Sequence, residues 1–121
     1  MVHTRTNRYY MAILTCFLSI STSTIAYGFA CRGKVSYIGI GANGDLNVEI
    51  VGTSLNVICN LKSQGGFAFD AQTCRSVQAN LLAAQALEKN VTIFYYDEAY
   101  TCSTISTWSQ MTSAYFLLGP D

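Results

Sequence analysis

Four cysteines, Cys31, Cys59, Cys74 and Cys102, are spread along residues 31–121, and they limit what this chain can fold into more than any other feature. An even number in a small exported domain points to two disulfides, which four cysteines can form in three ways. A zinc site is disfavoured, because no pair has the close spacing of a zinc knuckle and no histidine accompanies them. A Cys-x-x-Cys redox pair is also missing from the sequence.

Export is read from the N-terminus. His3, Arg5 and Arg8 supply a basic start, Met11 to Ile20 an apolar middle, and Ala26-Tyr27-Gly28 or Gly28-Phe29-Ala30 a small-residue cleavage site. Thr15, Ser19 and the polar cluster at 21–24 interrupt the apolar run, which suits a cleaved signal better than a membrane span. Lipidation of Cys31 is not expected, since Gly28 stands where a large aliphatic residue would be needed. The expected division is a signal peptide over 1–30 and one domain over 31–121, secreted or periplasmic, with no membrane span after processing.

Cys16 and His3, the only histidine, fall in the signal. Without histidine the domain cannot build a Ser-His-Asp or Cys-His nucleophile pair or a histidine general base. Asp97-Glu98 is the only adjacent carboxylate pair, and neighbours at a strand end point apart instead of facing each other across a cleft, so a solvated turn is expected. The chain therefore reads as a non-enzyme with no catalytic residues, no cofactor and no metal. Its formal charge of +0 falls to −2 once Arg5 and Arg8 are removed, which leaves no basic surplus to grip nucleic acid.

The pattern along the domain is mostly strand. Lys34 to Ile40 and Asp45 to Val51 alternate with period two, and the Asn43-Gly44 pair between them favours a tight antiparallel hairpin. Gly52-Thr53-Ser54 makes a second turn before a third strand at Leu55 to Leu61, and Gly65-Gly66 marks a loop. From Asp70, a suitable N-cap, the chain runs to Asn90 without glycine or proline and is rich in alanine, as a helix requires. Asn90-Val91-Thr92 matches a glycosylation sequon, but Asn90 is read as the helix-ending residue. Val91 to Tyr96 is the most strand-like hexapeptide, and Ala114 to Leu118 looks like a closing strand. The stretch from Ser103 to Ser113 is compatible with strand, loop or short helix.

The order β-β-β-α-β-β in a small all-β domain with one helix is that of the oligonucleotide/oligosaccharide-binding (OB) barrel. In that order Cys59, near the end of the third strand, meets Cys74 in the first helical turn, so Cys59–Cys74 and Cys31–Cys102 are the expected bridges. Cys74, Val77, Leu81 and Ala84 form the helix stripe assigned to the barrel. Ala79, Leu82, Ala83 and Ala86 form a second stripe, whose small residues would let another subunit approach closely in a ring.

Val91-Thr92-Ile93-Phe94-Tyr95-Tyr96 after an alanine-rich helix, the cysteine pair around the preceding loop, and Gly33 to Val35 in a strand following a signal peptide resemble the receptor-binding B subunits of subtilase cytotoxin and typhoid-type toxins. The resemblance implies an exported OB barrel that forms a homopentameric ring, binds a sialylated cell-surface glycan and pairs with a catalytic A subunit. It assigns the sugar-contacting tyrosine to Tyr95, with Phe94 at a position that is tyrosine in the family. Arg32 stands where the family has serine, and an arginine can pair with a sugar carboxylate through a bidentate bond. The glycan-contacting residues expected are thus Tyr95, Arg32 and Tyr96. Because strand alternation sends Tyr95 and Tyr96 to opposite faces, at most one lies in the core, and the other is a surface aromatic of the kind that marks binding sites. Trp108 is expected to serve the core. The alternative function is an exported OB-fold protein that binds a protein partner or a small ligand.

Overall fold

The computed structural model describes residues 28–97 and 99–121; the signal-peptide assignment, apart from its last residues, and Glu98 lie outside the described residues. Six strands and one helix follow in the order β1 (Phe29–Ile40), β2 (Asp45–Ile50), β3 (Asn56–Asn60), α1 (Ala71–Ala86), β4 (Asn90–Tyr95), β5 (Ser109–Gln110) and β6 (Ala114–Leu118). This is the expected strand-helix-strand order, with the last barrel strand divided into β5 and β6.

The long first strand organises the sheet. Its first half pairs antiparallel with β4, from Phe29 opposite Tyr95 to Lys34 opposite Asn90, and its second half pairs with β2 from Val35 opposite Ile50 to Ile40 opposite Leu46, with a register irregularity between Val35 and Tyr37. At that irregularity the Ser36 hydroxyl donates to the Glu49 carboxylate at 2.8 Å. The strand begins earlier than its alternation suggests and includes Phe29 and Ala30, so the expected domain start at Cys31 falls inside β1. The β1–β2 hairpin turns where Asn43-Gly44 directs it: Gly44, at φ 95°, donates its N–H to the Gly41 carbonyl at 2.9 Å.

Closure comes from the end of the chain. β5 pairs parallel with β3, β6 pairs antiparallel with β4, and these two strands occupy opposite edges of the sheet, in the order β5-β3-β2-β1-β4-β6. Only residues 111–113 separate them, so the sheet must curl round on itself as a partly open barrel. Met111 N–H bonds the Val57 carbonyl and Tyr96 N–H bonds the Ser113 carbonyl, which ties this link to both edges.

Helix α1 starts where Asp70 accepts the Thr73 N–H at 2.6 Å, a bond that also holds the Asp70 carboxyl below its ordinary pKa. Cys74, Val77, Leu81 and Ala84 are buried, as the first stripe requires, among Leu46, Val48, Ile58, Val91 and Ile93. The helix ends four residues short of Asn90. Glu88 takes a left-handed φ of 52°, and Lys89 N–H reaches back to the Ala84 carbonyl, a closure of the Schellman kind without its usual glycine. Asn90 is the first residue of β4 and exchanges two backbone hydrogen bonds with Asp121, so it does not end the helix. Both expected disulfides are present: Cys59–Cys74 joins β3 to α1, and Cys31–Cys102 joins β1 to the segment after β4, with Cα atoms 5.8 and 5.6 Å apart.

Candidate functional site

The three sugar-contacting candidates fall in three different environments. Tyr95 is only 1% exposed, and its ring stacks on Phe29 with centroids 4.7 Å apart. Its hydroxyl contacts the Asn56 carboxamide oxygen at 3.4 Å, and burial pushes its phenol well above the ordinary pKa. Tyr95 is therefore a core residue with its ring almost wholly covered, which corrects its assignment as the sugar contact. The reason is register: Val91, Ile93 and Tyr95 share the core face of β4, so Thr92 and the half-buried Phe94 lie on the opposite face and Tyr96, beyond the strand, is exposed.

Tyr96 is 59% exposed and stands at the end of an aromatic ridge on the outer face. Its ring centroid lies 6.1 Å from that of Tyr115, which lies 6.5 Å from Phe94, and Phe116 meets Phe94 edge-on at 5.5 Å. A bulge creates this ridge. Phe94 is opposite Phe116 but Tyr95 is opposite Ala114, so Tyr115 is the extra residue and turns outward beside Phe116. On one side of the ridge is a hollow of ≈ 230 Å³ floored by Gly28, Phe29 and Ala30; on the other is a groove of ≈ 490 Å³ between β6 and the start of α1. The floor cannot carry larger residues at Gly28, where a Cβ would collide with the Tyr95 carbonyl.

Arg32 is exposed on the same outer face, opposite Thr92, and forms a 2.9 Å ion pair with Asp121. Its partner Thr92 lies four residues before Tyr96, about 13 Å at the rise of a strand. Arg32 and Tyr96 thus flank the outer face and do not converge on one atom. The second helix stripe, Ala79, Leu82, Ala83 and Ala86, is exposed along its whole length.

Trp108 overturns its expected core role, since it is 65% exposed. Its backbone takes a φ of 67°, fixed by the bond from its N–H to the Leu55 carbonyl at 2.8 Å. With Tyr37, Gly39, Ile40, Gly41 and Asn47 it lines a cleft of ≈ 180 Å³ at the hairpin end of β1. Nothing in the local pattern around Trp108 marks this placement; the left-handed turn follows from the parallel pairing of β5 with β3.

Among the described residues no group of acidic, histidine or cysteine side chains is arranged to hold a metal ion, and no helix is long and apolar enough to cross a membrane. Two disulfides fit a secreted or periplasmic protein. Comparison with family models, with curated proteins and with solved structures finds no match to this chain.

Proposed function

We propose that this chain is the glycan-binding subunit of an exported, ring-forming assembly, and that its outer β4–β6 face is the sugar platform. The observation that carries this reading is the aromatic ridge between two hollows, in which Tyr96, Tyr115 and Phe116 are exposed beside the half-buried Phe94. Aromatic rings stack on the apolar faces of pyranoses, and the phenol hydroxyls of Tyr96 and Tyr115 supply polar tips at the edge of an apolar body. A ridge flanked by hollows suits a glycan of several residues. Arg32, at the far side of the face, can release Asp121 to take a carboxylate-bearing sugar bidentately.

The second helix stripe supports the ring. Ala79, Leu82, Ala83 and Ala86 are not used by the core, and small side chains allow a neighbouring subunit to approach closely. Weak single sites repeated around a ring gain avidity. A catalytic A subunit would be the partner of such a ring.

A glycan array probed with the disulfide-bonded domain tests the platform. Binding that weakens at least ~10-fold in Tyr96→Ala and in Tyr115→Ala is the expected result, the loss characteristic of central aromatic contacts. Binding unchanged in both variants would remove the platform, and a blank array would favour the alternative, an exported barrel that takes a protein partner.

A further inference from the structure

The cleft around Trp108 lies at the opposite end of β1 from the aromatic ridge. We infer that it is a second ligand site, separate from the β4–β6 face, and that it takes one uncharged pyranose ring.

Backbone conformation is the first support. A bulky residue at φ 67° is uncommon and is held there only when its surroundings fix it, as the bond to Leu55 does here. The conformation holds a large apolar ring in water at the rim of a cleft, an arrangement the core does not need. Tyr37 provides the second support. Its ring lies over Gly39 so closely that a Cβ on that glycine would sit 2.8 Å from Cε1, so the missing side chain leaves room for an aromatic wall.

The floor of the cleft supplies polarity without charge. Asn47, opposite Gly39 in the sheet, is 7% exposed; its Nδ2 donates to the Asp45 carbonyl at 3.2 Å, and its Oδ1 has no hydrogen-bond partner among the described residues. An unpaired buried acceptor is destabilising, and a ligand hydroxyl can satisfy it. This oxygen is sealed from solvent in the free protein, so binding must uncover it.

Size and charge select the ligand. A volume of ≈ 180 Å³ is below the ~300 Å³ at which pockets enclose larger ligands, so one ring fits with the rest of the molecule outside. None of the six lining residues carries a formal charge at neutral pH, so nothing in the cleft compensates a phosphate or a carboxylate. Two amphipathic aromatic side chains and one neutral acceptor therefore favour an uncharged sugar over a nucleotide or a sialic acid.

Trp108 is the only tryptophan of the chain, so its fluorescence reports this cleft and not the ridge. The disulfide-bonded domain is titrated with methyl β-galactopyranoside, methyl β-glucopyranoside and N-acetylglucosamine. The methyl glycoside of N-acetylneuraminic acid and adenosine serve as parallel arms. A saturable blue shift is expected with at least one neutral sugar, retained in Tyr96→Ala on the other face and at least ~10-fold weaker in Tyr37→Ala. No shift with any neutral sugar, a shift as strong in Tyr37→Ala as in the wild type, or a shift with the sialoside or adenosine alone would overturn the inference. Loss of glycan-array binding in Tyr96→Ala with the titration intact would separate the two faces.

Discussion

Neighbouring residues with the same chemistry can have opposite fates, and Tyr95 and Tyr96 show why. Alternation states that they face opposite ways, but which one is buried depends on pairing with Phe29, whose ring covers Tyr95. Trp108 is illegible for a related reason: its size suggests the core, whereas a backbone bond to Leu55, far away in sequence, turns it outward. The buried phenol gives a test at this scale. Its pKa is raised in the folded protein by burial, so its contribution is fully present below the unfolded value of ~10 and is lost as pH rises towards the folded value. Wild-type stability should therefore fall above about pH 10. Tyr95→Phe should cost ~1 kcal/mol at pH 7 through the lost contact to Asn56 and show a shallower alkaline decline. Urea midpoints across this range check both, and parallel curves for the two proteins would contradict the burial argument.

At the level of elements the turn chemistry was legible and the irregularities were not. Asn43-Gly44 placed the first hairpin, Asp70 opened the helix, and the order of strands brought the correct cysteines together. The helix end was not legible, because Glu88 occupies a left-handed position that composition assigns to glycine. Nor was the bulge at Tyr115, since strict alternation along Ala114 to Leu118 would send Tyr115 and Phe116 to opposite faces. The disulfides differ in reach: Cys59–Cys74 spans a sequence separation of 15 and Cys31–Cys102 one of 71. Replacing each pair by alanine should cost ~3 and ~4 kcal/mol respectively on the loop-entropy scale. Denaturant unfolding of the two double variants measures this ranking, and a larger loss from the shorter loop would place the stabilisation in local strapping of α1 to β3.

On the scale of the molecule, the barrel packs one helix stripe into its core and leaves the second stripe on α1, the ridge on β4–β6 and the Trp108 cleft among the apolar surfaces that face out. The proposed division of labour gives subunit contact to the first and sugar contact to the other two. Sedimentation should then return several times the monomer mass for the disulfide-bonded domain, and Leu82→Glu should reduce it. A monomeric wild type, or a variant of unchanged mass, would remove the helix from the interface. The claim on which the rest depends is that the exposed aromatics bind glycans. It is tested most directly by a glycan array that compares wild type with Tyr96→Ala and with Trp108→Gly, the latter removing the ring while tolerating the positive φ. Glycan binding by the wild type is expected, diminished in each variant for a different set of sugars. No binding by correctly oxidised protein, or binding untouched by both substitutions, would contradict it.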